Sequence, residues 1–203
     1  MSGYPVVLIG ESIEALIVGG GRVAERKARS LLAAGARVRV VAPGLTEALR
    51  ALAREAPRLS LVEREYVTDD IAGATLVIAA TGSREVNARV SVEGRAARRL
   101  VNVADDPTAG NFITVATHRA GDLVIGVSAG GVPRAASRIR DALAERFDDR
   151  YAEAVRALGS LRERMLSAGD RAGWEQAVDE LISGEFCERV EAGEFLDEVA
   201  AWP

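Results

Sequence analysis

Three consecutive glycines stand between a short apolar run and a segment with helical periodicity, and few folds place them there. Residues 14–18 predict a buried strand, and residues 23–34 repeat apolar side chains at helical spacing. Gly19, Gly21 and Ala24 match the G-x-G-x-x-G/A spacing of dinucleotide-binding turns. The first glycine allows a tight turn, the second lets the backbone approach a pyrophosphate, and the small third residue lets the helix pack on the sheet. The alternative is a glycine turn that only packs.

The same alternation of strand and helix patterns continues for the first hundred residues. Strands are predicted at 37–41, 59–62, 74–80 and 100–104, and helices at 46–55 and 83–99. Strands that alternate with helices of this length are typical of parallel βαβ units. Near-continuous apolar strands also favour a sheet that is covered on both faces.

The pattern then changes to a hairpin and a run of helices. The β runs 112–116 and 123–127 flank a short glycine-containing link, which predicts an antiparallel hairpin with His118 at its turn. From Pro133 onward the pattern is helical, with breaks predicted at four glycines: Gly159, Gly169, Gly184 and Gly193. A lone hairpin is marginal in water, so we expect it to add to the sheet or to pair with a second subunit.

The predicted fold is therefore α/β: a Rossmann-like parallel sheet, a β-hairpin dimerisation element and a C-terminal all-helical domain. We expect these parts at residues 1–110, 111–147 and 148–203. Acidic residues outnumber basic ones only after residue 140, which supports a boundary in this region. The role of the last part stays open beyond helical packing or a lid.

Composition excludes several classes of protein. A formal charge of −4 argues against a generally basic nucleic-acid binder. With one cysteine, Cys187, and one histidine, His118, the sequence offers no disulfide framework and no cysteine-based zinc cluster. We therefore expect no metal held by protein side chains alone. The beginning lacks a signal-peptide pattern and no apolar run approaches membrane-spanning length, so we expect a cytoplasmic protein.

The predicted cofactor site lacks one usual part. An acidic residue commonly ends the second strand and binds the ribose, but Ala42-Pro43-Gly44 stands there. Arg22 could reach a 2′-phosphate, or it could be solvated, so the residues alone leave NAD and NADP open. The candidate cofactor-binding residues are Gly19, Gly20, Gly21, Arg22, Val23, Ala42, Pro43, Gly44 and Thr81.

Several runs resemble one known family, the precorrin-2 dehydrogenases, which include the N-terminal domain of siroheme synthases. The resemblance lies in residues 16–29, 31–36, 40–43, 78–81, 86–87, 101–105 and 128–131, and it covers about residues 6–147. It implies NAD as cofactor and dehydrogenation of precorrin-2 to sirohydrochlorin, followed in some members by insertion of ferrous iron. It also implies a homodimer that pairs through the hairpin.

The resemblance assigns roles to residues near two predicted strand ends. Asp105 matches the family's functional aspartate and is the candidate proton acceptor; the alternative is that it only starts a turn before Pro107. Asp106 is the adjacent alternative for the acceptor, although it is the more natural turn former. Ser128, Gly130 and Arg138 are candidates for binding the carboxylates of the tetrapyrrole. An ST-turn and a solvated helix face are their alternative readings.

The sequence departs from the family pattern at one place, and two other functions remain as alternatives. In Val132-Pro133-Arg134 the proline comes one position earlier than in the family, which affects the geometry near the tetrapyrrole. A non-catalytic NAD(H)-sensing module would share the glycine turn but needs no aspartate at the cleft. An oxidoreductase with another substrate lacks support from a Tyr-x-x-x-Lys pair.

Overall fold

The computed structural model describes residues 3–203, which form two compact units. One unit extends to Thr114, and the other runs from Val115 to Pro203. The hairpin and all later helices therefore belong to the same unit. The three-part division drawn from the sequence stays a prediction.

The first unit is a five-stranded parallel sheet in the order β3-β2-β1-β4-β5. Its strands are β1 (Glu14–Val18), β2 (Arg37–Ala42), β3 (Leu59–Glu63), β4 (Leu76–Ala79) and β5 (Leu100–Val103). Its α-helices are α1 (Arg22–Ala33), α2 (Glu47–Glu55) and α3 (Arg84–Ala96), and single 3-10 turns lie at Gly10–Ser12 and Thr68–Ile71. Because all four neighbouring strand pairs are parallel, all five strands end at the same edge.

Aliphatic side chains on both faces of this sheet form its core. Ile17, Val40 and Ile78 lie in one apolar cluster with residues of α1 and α2. Leu16, Val77 and Val101 lie in a second cluster on the other side, with residues of α3. This alternation explains why the strands read as unbroken apolar runs.

Local signals set the helix ends in the first unit. Thr46 caps α2, its Oγ1 accepting a hydrogen bond from Leu49 N at 3.3 Å, and Ser83 caps α3 in the same way. Gly35, with φ +88°, follows the end of α1 in the left-handed conformation. The α1 N-terminus differs, since its cap residue is Gly21 and no side chain caps it.

The second unit contains the hairpin and five helices. The hairpin pairs β6 (Ala116–Ala120) with β7 (Leu123–Val127). The helices are α4 (Pro133–Arg146), α5 (Asp149–Ser167), α6 (Arg171–Leu181), α7 (Phe186–Ala192) and α8 (Phe195–Ala200). Tyr151, Leu161 and Phe195 are among the buried residues of their shared core.

The first hairpin strand was predicted four residues too early. It starts at Ala116 because a two-residue Gly121-Asp122 turn, with Gly121 at φ +57°, pairs Ala120 with Leu123. Phe112 instead packs on the core of the first unit. His118 consequently lies within β6 and not at the turn, with its Nε2 2.6 Å from the carbonyl oxygen of Phe147.

A predicted helix break at Gly159 is also wrong. Helix α5 passes through this residue without interruption, because its buried face, including Ala154 and Leu161, holds the helix against the core. A single glycine costs a helix only about 1 kcal/mol, which packing offsets. The breaks at Gly169, Gly184 and Gly193 do separate helices.

Candidate active site

The predicted cofactor residues of the first unit come together at the carboxyl edge of its sheet. β1 leads into the glycine turn, β2 into Pro43 and Gly44, β4 into Thr81, and β5 into Asp105. In open parallel sheets this edge is where ligands bind, next to the strand where the order reverses. Here the order reverses between β1 and β4.

Gly19 and Gly20 are required by close packing of the turn. A Cβ on Gly19, whose φ is +128°, would lie 2.3 Å from the carbonyl oxygen of Ala80. A Cβ on Gly20 would lie 2.0 Å from the carbonyl oxygen of Gly44. Backbone hydrogen bonds hold the turn there, from Gly19 N to Val41 O and from Thr46 N to Gly20 O. The turn therefore fits tightly between the ends of β2 and β4.

Gly21 has a different environment. Its φ of −92° suits any residue, and an added Cβ would meet nothing within 4 Å. Arg22 and Val23 beside it are exposed, and no side chain caps the helix that begins here. Backbone amides at an open helix N-terminus bind anions, so this surface fits a dinucleotide pyrophosphate. The protein's own packing does not require a glycine at this position.

The end of β2 offers a surface without charge. Ala42 is buried, Pro43 and Gly44 are exposed, and a Cβ on Gly44 would meet nothing within 4 Å. The paired end of β3 does carry an acid, Glu63, but Arg50 on α2 binds its Oε1 at 2.5 Å. Among residues 3–203, Arg22 makes no ion pair. The site thus leaves room for a ribose without an acidic partner at the end of β2.

Thr81 and Asp105 are linked by a buried amide. Asn87, only 2% exposed, accepts from Thr81 N at 3.1 Å through Oδ1. Its Nδ2 donates to the carbonyl oxygen of Thr81 at 3.2 Å and to Asp105 Oδ1 at 2.9 Å. The side chain of Asn87 therefore ties the turn after β4 to the turn after β5.

The two adjacent aspartates have different surroundings. Asp106 accepts from the Thr108 hydroxyl at 2.6 Å and from Thr108 N at 3.0 Å, which makes it the turn former that the sequence favours. These hydrogen bonds, the one from the hydroxyl above all, hold the pKa of Asp106 below its usual range. Asp105 is exposed, and its Oδ2 has no hydrogen-bond partner within residues 3–203.

The predicted tetrapyrrole-binding residues belong to the second unit. Ser128 and Gly130 are exposed residues between β7 and α4, and Gly130 has φ +55° with open space around its Cα. Arg138 is exposed on α4, and it lines a shallow groove with Pro133, Arg134 and Asp141. Arg134 and Arg138 form no ion pair in the part of the chain that the structure describes. Pro133 occupies the first position of α4, where its missing amide costs nothing.

Residues 3–203 show neither a metal-binding cluster nor a membrane-spanning helix. From residue 3 to residue 203, no group of three or more His, Cys, Asp and Glu side chains is arranged to hold a metal ion. No helix in the same range is long and apolar enough to cross a membrane.

Comparison with known families identifies the first unit. A family model described as "Putative NAD(P)-binding" matches residues 6–116, more than half of the chain. The chain belongs to this family. The dinucleotide predicted from the glycine turn is thereby confirmed, as is the nicotinamide cofactor that the family resemblance implies.

Individual relatives are similar over most of the chain. Siroheme synthase 3 of Aeromonas hydrophila subsp. hydrophila is 39% identical over 80% of this chain and 36% of its own length. Siroheme synthase of Nitrosomonas europaea is 34% identical over 95% of this chain and 41% of its own. Siroheme synthase of Pseudomonas aeruginosa is 40% identical over 88% of this chain and 39% of its own length. The chain spans about two fifths of the length of these relatives.

A solved structure shares the whole fold. The protein titled "SirC, precorrin-2 dehydrogenase" aligns with a TM-score of 0.78 over 98% of this chain and 99% of its own, at 24% identity. The predicted fold class, a Rossmann-like sheet followed by a hairpin and C-terminal helices, is confirmed by this likeness. The predicted homodimer stays a prediction.

Asn87 has a central part in the site that was not predicted from the sequence, where it stands out only as a member of the resembling run 86–87. A signal was present, because Asn87 lies three and four residues before Val90 and Ser91, on the helix face that becomes buried. A polar amide on a buried face needs partners, which predicts contacts with neighbouring strand ends.

Proposed function

We propose that this chain catalyses the NAD-dependent dehydrogenation of precorrin-2 to sirohydrochlorin. The observation that carries the proposal is the position of Asp105, an exposed carboxylate two strands away from the glycine turn of an NAD(P)-binding unit. Likeness to siroheme synthases over 80–95% of the chain supports the choice of substrate. It also supports the class of oxidoreductase and a place in siroheme biosynthesis.

The glycine turn and its neighbours would hold the cofactor. Free amides at the start of α1, beside Gly21, Arg22 and Val23, would bind the pyrophosphate. The open surface at Ala42, Pro43 and Gly44 would accept the adenosine ribose, and Thr81 would contact the cofactor from the end of β4. A bound nicotinamide supplies the acceptor for a hydride, the part of this chemistry that no side chain can provide.

Asp105 would take the proton that accompanies the hydride. Oxidation of a reduced tetrapyrrole removes a hydride from one carbon and a proton from a neighbouring position, and a new double bond forms between them. A carboxylate at the carboxyl edge of the sheet is a suitable acceptor for that proton. Its Oδ2 binds no group of residues 3–203 and can serve this purpose, since Asn87 binds Oδ1.

The second unit would supply groups for substrate binding. Arginine forks suit carboxylates, and the tetrapyrrole substrate carries several. Arg138, with its guanidinium exposed and without an ion pair among residues 3–203, is available for one of them. Ser128 and Gly130 would contact the same ligand, through a hydroxyl and through an unobstructed backbone. We also propose a homodimer that pairs through the hairpin.

An anaerobic assay tests the reaction. The purified chain is mixed with fresh precorrin-2 and with NAD or NADP in parallel, and reduced nicotinamide and the sirohydrochlorin spectrum are followed together. Equal growth of both signals with NAD is the expected result. Ferrous iron, a substrate of the second reaction, is then added, and a siroheme spectrum forming faster than in a protein-free control would extend the proposal to ferrochelation.

The same assay separates the rival function. If NAD binds by calorimetry but neither cofactor supports turnover, the dehydrogenase proposal fails and the NAD(H)-sensing module becomes the favoured hypothesis, ahead of an oxidoreductase with another substrate. Reduction of NAD without a sirohydrochlorin spectrum would instead indicate that precorrin-2, the hydride donor supplied, is oxidised to a different product.

A further inference from the structure

Asn87 occupies a position from which it contacts two parts of the site at once. It lies on the first turn of α3, its backbone amide donates to Ser83 O at 3.0 Å, and its side chain is almost completely buried. A buried amide held in this way has little freedom to rotate. Any group that its side chain binds is therefore held at a fixed place.

The donors and acceptors around Asn87 settle which way its amide faces. Thr81 N can only donate, so the amide oxygen of Asn87 must point toward it, at 3.1 Å. The Thr81 hydroxyl lies 2.8 Å from the same oxygen. The amide nitrogen is then left facing the Thr81 carbonyl at 3.2 Å and Asp105 Oδ1 at 2.9 Å, both acceptors. Every polar atom of the side chain has a partner.

The consequence for Asp105 is a defined orientation. Asn87 donates to Oδ1, an interaction that a carboxylate accepts and that fixes the rotation of the carboxyl group. The other oxygen, Oδ2, has no partner within residues 3–203 and stays available to a ligand. Asp105 is otherwise exposed, and no further side chain in that range hydrogen-bonds to it.

We propose that Asn87 is a positioning residue that aims Asp105 Oδ2 at the substrate while holding the Thr81 turn against the cofactor site. The inference rests on the proposed dehydrogenase function. It adds a residue that acts through Asp105 and makes no contact with the reacting atoms itself. Its effect falls mainly on the proton-transfer step, because an acceptor at position 87 keeps the hydrogen bond from Thr81 N, whereas Asp105 requires a donor there.

The positioning role can be tested because Thr81 N needs an acceptor at position 87 and Asp105 needs a donor. In Asn87→Asp, a carboxylate can still accept from Thr81 N but repels Asp105. We expect kcat to fall about 10- to 100-fold, since small misplacements of a reacting group have effects of this size. KM for NAD should change by less than about threefold, because the acceptor for Thr81 remains. A purely structural role would instead raise KM for NAD or lower the folded fraction without this split.

Asn111 offers a matched control for the same chemical change. Its Oδ1 accepts from Val101 N at 2.6 Å and its Nδ2 donates to Arg99 O at 2.9 Å, so it too is an amide that holds a turn near β5. Asn111→Asp keeps the acceptor and loses the donor. It should reduce stability while leaving kcat per folded molecule unchanged.

A double variant, Asn87→Asp with Asp105→Asn, exchanges the two side chains and completes the experiment; it is called the exchanged pair below. Here the amide at position 105 can donate to the carboxylate at position 87, so the thermal midpoint should recover relative to Asn87→Asp alone. Activity should stay at the level of Asp105→Asn, because the proton acceptor is missing. If Asn87→Asp alone does not fold, recovery of folding in the double variant supports the contact between positions 87 and 105, and a failure to recover contradicts it.

The outcomes separate the two levels of the argument. An active wild-type protein with an equally active, folded Asn87→Asp variant overturns the positioning role alone. No recovery of the midpoint in the exchanged pair also overturns it. A wild-type protein without precorrin-2 turnover overturns the proposed function, and the positioning role with it.

Discussion

Gly20 and Gly44 approach so closely that a Cβ on Gly20 would lie 2.0 Å from the carbonyl oxygen of Gly44. The contact joins the turn after β1 to the turn after β2. It explains why a third glycine stands inside a motif that formally needs only the first and last of the three. Gly19 and Gly20 therefore serve packing, and Gly21 is left open for a ligand.

This difference predicts opposite outcomes for two glycine variants. Gly20→Ala should lower the free energy of unfolding by about 1–3 kcal/mol, since the backbone atom it meets cannot move aside easily. Gly21→Ala should leave that free energy within about 0.5 kcal/mol of the wild type. It should nevertheless weaken NAD binding by about tenfold or more, equivalent to about 1.4 kcal/mol. Urea unfolding followed by circular dichroism and NAD titration by calorimetry measure the two quantities. NAD binding of normal strength by Gly21→Ala would mean that the pyrophosphate does not lie at this turn.

A second prediction concerns pH and the buried Asp70. Arg64 donates two hydrogen bonds to its carboxylate at 2.7 and 2.8 Å, and these above all hold the pKa of Asp70 below its usual range. A depressed pKa contributes stability above the unfolded-state value, near 3.9, and this stability is lost as the pH falls further. Arg64→Met should therefore cost about 1–3 kcal/mol at pH 7 and less at pH 3.

The measurement is urea unfolding of both proteins at pH 7 and pH 3. Arg39 also faces this group, since it donates to the backbone oxygen of Asp70, so part of the effect survives in the variant. Arg29→Met is a matched control, because its exposed pair with Glu25 should be worth less than about 0.5 kcal/mol. A pH-independent difference between wild type and Arg64→Met would contradict the account of Asp70.

A third prediction uses two glycines of the second unit. Gly159 lies inside α5 with open space around it, so Gly159→Ala should raise the free energy of unfolding by about 0.5–1 kcal/mol. Gly121 has φ +57°, and a Cβ added there would lie 3.1 Å from the Cβ of Ala152. Gly121→Ala should therefore lower the free energy of unfolding by about 1–2 kcal/mol. Fluorescence of the two tryptophans, Trp174 and Trp202, reports on this unit, since both pack on its core. Destabilisation by Gly159→Ala would show that this part of α5 is not a regular helix in solution.

The regular part of the first unit could be predicted from the sequence. The strand at 14–18 matches β1 residue for residue, and Thr46 caps α2 as its position suggests. Both depend on short-range physics: apolar runs, capping hydroxyls and glycines that permit unusual backbone angles.

The predictions that failed concern features that depend on contacts between residues distant in the sequence. The run 112–116 has strand propensity throughout, but Phe112 is held by the core and by Val101 O, so only Ala116 joins the hairpin. Gly159 predicts a helix break from its residue type alone, and only the packing of α5 shows that the helix continues through it. The link between Asn87 and Asp105 spans 18 positions; helical periodicity indicates that Asn87 is buried, but no local pattern identifies Asp105 as its partner.

The central claim, that Asp105 accepts the proton during precorrin-2 dehydrogenation, is tested most directly by a pair of neighbouring variants. Asp105→Asn and Asp106→Asn are compared with the wild type for sirohydrochlorin formation and for NAD affinity. Asp105→Asn should bind NAD normally and lose about 10²- to 10⁴-fold in kcat. Asp106→Asn should stay active, because an amide oxygen can still accept from Thr108 N. Full turnover by a folded Asp105→Asn protein would contradict the account.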